Sequence, residues 1–291
     1  VRVESQPLSA ATREALAGLL DDPSPVVRQG VLKHLQESGD AGRDFLRELA
    51  EGTNRVRALH ARWFLMELKF TDPVNEFRGF IRSLGYELET GMFLLGRTIY
   101  PEIDIASVCG EIDRIAARCR ELTVEPATDR ERCKVINRVL FHEMGFRGNV
   151  EEYADPENSF LHRVLERRKG LPITLSVLYL LVASRCGLQL EPVGLPGHFL
   201  VGCYEEDGPF FIDSFDHGRF LSPDDVLAYL EQRKIPMHES YLAPVTVREV
   251  LCRCCRNLAS HFAASQQPPL ARLFASFVEE FEAAYEERTN S

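Results

Sequence analysis

One stretch of the chain, "LPITLSVLYLLVASRCGL" from Leu171 to Leu188, limits the folds open to it. Pro172 sits where a first helical turn tolerates proline, and Gly187 marks the stop. Between them Ile173, Leu175, Val177, Leu178, Leu180, Leu181 and Val182 leave no polar stripe. A helix apolar nearly all round has to be enclosed by its own domain. The run around Val177 to Ala183 is far shorter than the ~18 residues of a membrane span. With 291 residues, 45% of them hydrophobic, the chain has enough material to bury such a helix in a core.

The natural cover for that helix follows it. "GLPGHFLVGCYEEDGPFFIDSFDHG" reads as a hairpin with strands at 198–204 and 209–215 and "EEDG" between them. An even-numbered loop pairs even positions on one strand with odd positions on the other. His198 and Asp213 then share a face, directly opposite or one diagonal step apart, ~5 to 8 Å between β-carbons. The runs "FLV" and "FFI" are apolar on both faces, so the sheet is expected to be covered on each side. A carboxylate buried there needs a partner, and His198 supplies one.

The rest reads as helix. Residues 8–70 carry apolar positions at three- and four-residue spacing, interrupted by Pro23 and Pro25. Val56-Arg57 echoes Val27-Arg28, which suggests either degenerate HEAT-like repeats or a plain helical bundle. The stretches from Phe77 to about Leu122 and 129–149 continue the helical pattern. Asn158 or Ser159 is placed to cap a helix carrying Phe160, Leu161, Val164 and Leu165, with Gly170 ending it. Ser222 opens another helix, and the tail from Val247 to Arg288 reads as two or three more, broken at Pro268-Pro269. Helical flanks around a small antiparallel sheet make the fold class α+β.

Three segments, "DPENSFLHRVLERRKGLPITLSVLYLLVASRCGL", "GLPGHFLV" and "FIDSFDHGRFLS", in that order, resemble the SirB-type transglutaminase-like family. The resemblance covers about residues 72–240, leaving 1–71 as a helical flank and 241–291 as C-terminal helices, which family members often build as tetratricopeptide-like repeats. It implies a papain/transglutaminase-like core, a buried helix packed on a small antiparallel sheet. It also implies a catalytic triad in which His198 and Asp213 are base and orienting residue. In the active branches a cysteine opens the buried helix, where the helix dipole and the histidine make it a thiolate. Here the comparable turn is "RRKGLPITLS", and Pro172 stands at that position. Cys186 is ~18 Å away along the helix, and Cys203, five positions from His198 on one strand, points to the other face.

The expectation is therefore a binding module that has kept the pair and lost the thiol. Pro196 and Gly197 form one wall of its pocket. Gly170, Pro172 and Thr174 at the helix start form the other, with Asn158 and Ser159 nearby and Arg168 available to an acidic group. Two alternatives stand beside it. A Ser or Thr hydroxyl (Thr174, Ser176 or Ser159) with His198 and Asp213 would make an amide hydrolase or acyl transferase. Helical flanks working as a scaffold would leave the core inert. A metal held by His198, Asp213, Asp216, His217 and His162 is a weaker reading on spacing. "CRCC" at 252–255 lacks a second pair at zinc spacing, so buried helical thiols are expected there instead.

A net charge of -10 gives no electrostatic support for nucleic acid or an anionic membrane as partner. A peptide or protein partner is expected, and no cofactor. Eight scattered cysteines without a secretory signal suggest reduced thiols in the cytoplasm.

Overall fold

A computed structural model describes residues 8–68, 72–205, 208–236 and 238–289. They form two compact units that divide between Asn75 and Glu76. The first is helical: α1 (Ala10–Leu19), α2 (Pro25–Glu37), α3 (Gly39–Glu51) and α4 (Arg55–Glu67). Ser9 caps α1 by accepting from the Thr12 amide at 3.1 Å, and Pro25 opens α2. Leu16, Leu20, Leu35, Phe45, Leu46 and Phe64 make its core. The Val27/Val56 echo is not matched in packing. Val27 lies against that core, whereas Val56 is 55% exposed.

The second unit begins with α5 (Pro73–Ser83), α6 (Leu88–Arg97), α7 (Ile105–Leu122) and α8 (Asp129–Asn137). The helical pattern from Phe77 to Leu122 is thus cut twice. Leu84 takes a left-handed φ of 57°, and residues 98–104 turn the chain before Asp104 caps α7. α8 runs into a π-helical turn, Arg138–Glu143. Two two-residue strands, β1 (Arg147–Gly148) and β2 (Lys169–Gly170), pair in parallel, and a 3₁₀ turn (Pro156–Ser159) and α9 (Leu161–Arg167) lie between them.

α10 (Pro172–Arg185) is the central helix, buried along Pro172 to Ala183 as its sequence requires. It packs against β4 (His198–Glu205) of a four-stranded antiparallel sheet. The other strands are β3 (Glu191–Leu195), β5 (Gly208–Asp213) and β6 (Arg219–Leu221), in the order β3-β4-β5-β6. β5 ends two residues earlier than the hairpin reading has it, because Asp213 turns the chain. Its Oδ1 accepts from the amides of Phe215 and Asp216. The hairpin tip at 206–207 lies outside the described residues. α11 (Pro223–Gln232) follows, opened by a Ser222–Asp225 capping box. Then come α12 (Val247–Ala264) and α13 (Pro268–Thr289), which pack on each other within the same unit. The architecture is α+β with helical flanks.

Both faces of the sheet are covered. Val193, Leu195, Leu200 and Phe211 pack on Val226 of α11. On the opposite face Cys203 lies near Cys133, whose carbonyl accepts from the buried Tyr179 hydroxyl of α10 at 3.1 Å. Among the described residues no helix is long and apolar enough to cross a membrane.

Candidate functional site

The β4–β5 register pairs Val201 with Ile212. Continued by one residue it sets Leu200 beside Asp213, so His198 and Asp213 share a face one diagonal step apart. The His198 Nε2–H donates to Asp213 Oδ2 at 2.7 Å. A carboxylate only accepts, so the bonded nitrogen carries a proton, and a ring holding that one proton presents Nδ1 as an acceptor. The two side chains are 13% and 14% exposed, shielded but within reach of solvent. Asp213 has both oxygens engaged, which fixes the imidazole rotamer as an orienting residue should.

The β3–β4 turn is Pro196-Gly197, closed by the Leu195–His198 pair. Gly197 has φ 73°, the left-handed conformation that follows proline in a tight type II turn and that only glycine adopts freely. Arg253 of α12 clamps this turn. Its Nη2 donates to the carbonyls of Leu195 at 2.6 Å and His198 at 2.8 Å. Its guanidinium lies 5.5 Å from the Phe199 ring. Burial pushes the Arg253 pKa down, and among the described residues no carboxylate pairs with it.

Tyr229 of α11 lies against the His198 ring, tilted at 32° with centroids 5.6 Å apart, and Arg233 lies 4.6 Å from the phenol ring. A β-carbon on Gly197 would come within 4.0 Å of Tyr229 Oη and 3.9 Å of Arg233 Nη1, so both side chains border the turn. The Tyr229 hydroxyl is buried with no hydrogen-bond partner. Phe215 meets His198 edge-on at 6.4 Å, and Tyr153 meets Phe215 at 6.0 Å. Burial raises the pKa of both tyrosines. The result is an aromatic rim with two arginines around the His–Asp pair.

The remaining candidates are placed differently. Neither Asn158 nor Ser159 caps α9, since both lie in the 3₁₀ turn and Phe160 takes the N-cap place without a side-chain bond. Asn158 Nδ2 donates to the carbonyls of Glu152 and Tyr153, and its Oδ1 accepts from Asn149. It also accepts, through its carbonyl, from the Leu171 amide just before α10. Asn158 therefore ties the loop to the helix start. α9 ends at Arg167, with Arg168 rather than Gly170 as the residue that stops it, in the left-handed conformation at φ 58°. Arg168 is not a free cation: it pairs with Glu111 at 2.8 Å and lies over Phe146. Gly170 belongs to β2, and Pro172 is the first residue of α10.

The hydroxyl candidates do not meet the base. Thr174 Oγ1 and Ser159 Oγ are buried without partners, and Ser176 Oγ donates to the Phe199 carbonyl at 3.5 Å. The potential metal ligands are scattered as well. Asp216 and His217 are exposed, and His162 meets Tyr100 edge-on at 4.8 Å. Among the described residues the ligand atoms that do gather are those of Asp129, Cys203 and Glu205. Cys252, Cys254 and Cys255 are buried, and burial pushes their thiol pKa values up.

A helix buried against a sheet that presents an oriented His–Asp pair defines a papain-like α+β class. Residues 106–256 match the transglutaminase-like superfamily, just over half of the chain, and the chain belongs to that family. A UPF0162 protein of Xylella fastidiosa (strain 9a5c) is 34% identical over 180 residues, 58% of this chain and 63% of the relative. A UPF0162 protein of Vibrio cholerae is 29% identical over 152 residues, 52% and 56% of the two chains. F-box only protein 21 of Mus musculus is 36% identical over 133 residues, 43% of this chain but 21% of its own. The match thus spans less than two thirds of each of these relatives. No solved structure matches.

Proposed function

We propose that the second unit is a SirB-type transglutaminase-like module that binds a peptide segment at the His198–Asp213 face without cleaving it. Pro172 takes the place of the thiol nucleophile, and among the described residues no Ser or Thr hydroxyl bonds His198 in its stead. The observation that carries the reading is the buried, unpaired Tyr229 hydroxyl beside an imidazole whose Nε2 is held by Asp213, leaving Nδ1 for a ligand. A buried polar group left unpaired costs ~1–3 kcal/mol, and a ligand that supplies the bond removes that cost. A peptide can give an amide N–H to Nδ1 and take a hydrogen bond from Tyr229 through a carbonyl. An acidic residue or C-terminal carboxylate then meets Arg233, with Arg253 adding field behind the turn. Similarity to a short stretch of a much longer F-box protein supports a portable binding unit over a self-contained enzyme. The reading places the protein in the cytoplasm, with its thiols reduced.

Selection of peptides from a random display library on the full chain tests this. Acidic peptides are expected, with affinity falling ~10-fold or more on His198→Ala and Arg233→Ala. Equal binding to His198→Ala would refute the site. Peptide cleavage, or labelling of Ser159, Thr174 or Ser176 by a fluorophosphonate in a His198-dependent way, would refute the absence of catalysis.

A further inference from the structure

At the C-terminal end of α10, two cysteines line one cavity. Cys186 is the C-cap of the helix and Cys119 lies in the last turns of α7. Cys186 Sγ lies 3.7 Å from the carbonyl of Ala116, one helical turn before Cys119, and both cysteines line a cavity of about 280 Å³ with Arg120, Arg132 and Glu125. Arg120 is anchored there by donating to the Arg185 carbonyl at 2.7 Å, and Arg132 pairs with Glu125 at 2.8 Å.

We propose that Cys186 and Cys119 are a thiol-exchange site that reacts with small, carboxylate-bearing disulfides and closes to an intramolecular disulfide. The two thiols are not equivalent. Cys119 is 1% exposed, whereas Cys186 is half-buried at the cavity. The Cys186 S–H donates to the Ala116 carbonyl at 3.7 Å, and the neighbouring Cys119 thiol, with Arg120 and Arg132, lowers the Cys186 pKa. Cys109, the other half-buried cysteine, is pushed the opposite way by burial and by Glu89. The remaining cysteines are buried.

The exchange balances in two steps. The Cys186 thiolate attacks one sulfur of the small disulfide. That S–S bond breaks, and the first thiolate leaves and takes a proton from solvent. Cys119 then gives its proton to solvent and attacks the Cys186 sulfur of the mixed disulfide, expelling the second thiolate. Two protein thiols are oxidised and one small disulfide is reduced to two thiols. Arg120 and Arg132 favour an approaching disulfide that carries carboxylates. In a reducing compartment such a bond is transient, as expected of a regulatory site rather than a structural one.

The reduced 291-residue chain is exposed to glutathione disulfide, quenched with iodoacetamide and mapped by mass spectrometry. The expected product is a cross-linked Cys119–Cys186 peptide with the other six cysteines alkylated. Cys119→Ser is expected to stop at the mixed disulfide on Cys186, and Cys186→Ser to form neither product. Cystamine, whose ends are cationic, is expected to react ~10-fold more slowly at low salt. First modification at Cys109, a cross-link that survives Cys186→Ser, or cystamine reacting as fast as glutathione disulfide would overturn the assignment. The wild-type peptide map needs no variant, so a folding defect in either serine variant leaves the test intact.

Discussion

His198 Nε2 donates to Asp213 Oδ2 across one diagonal step of the β4–β5 ladder, and the same carboxylate caps the turn that ends β5. One aspartate thus sets both the histidine tautomer and the end of its strand. Replacing Asp213 by Asn should separate the two roles. The amide oxygen can still accept from Phe215 and Asp216, but its NH₂ now faces the ring. The ring proton is expected to move from Nε2 to Nδ1, visible in the ¹⁵N shifts of the imidazole, with the fold retained. Peptide binding should fall ~10-fold as Nδ1 ceases to accept. An unchanged tautomer would mean that Asp213 does not set it.

Arg253 holds the carbonyls of Leu195 and His198, so removing it leaves both ends of the β3–β4 turn unsupported. Arg253→Ala should cost about 1.5–3 kcal/mol, the range for hydrogen bonds to a charged group. Urea unfolding measures it. Arg253→Lys should recover part of the loss, because an ammonium can bond the same carbonyls without lying flat over Phe199.

Gly148 lies under Phe215, where an added β-carbon would come within 2.5 Å of the ring. Gly148→Ala should displace Phe215 from His198 and destabilise the unit by about 1–3 kcal/mol. A crystal structure of the variant would show whether Phe215 has moved. A ring left in place with unchanged stability would contradict the packing described.

His162 and His261 have pKa values held below the usual 6.5, each chiefly by burial. The unfolded chain therefore binds more protons than the folded one in the window below pH 6.5. Stability from these groups is complete above that pH and is lost as pH falls through it. Urea midpoints should drop between pH 7.5 and 5.5, and His261→Gln should reduce the drop. A midpoint independent of pH in both chains would contradict it.

The sequence made the outline of this site legible because its signals are periodic. The all-round apolar helix had one physical outcome, and strand alternation with an even loop placed His198 and Asp213 on one face. β3 was not legible: "EPVGL" is short and holds a proline and a glycine, and it becomes a strand by pairing with β4. Arg253, Tyr229 and Arg233 were missed for another reason. Each sits on, or at the end of, an amphipathic helix more than 30 residues from His198 in sequence, where it looks like ordinary packing or a solvated charge. Arg168 looked available, but Glu111 lies 57 positions away in sequence and no spacing rule connects the two.

The most direct measurement of the central claim follows the ¹⁵N resonances of the His198 ring while a selected acidic peptide is added to the full chain. The account predicts that Nδ1 shifts on saturable binding, that Nε2 stays bonded to Asp213, and that the peptide is recovered intact. Peptide binding with no movement of the His198 resonances, or recovery of cleaved or acyl-transferred peptide, would contradict it.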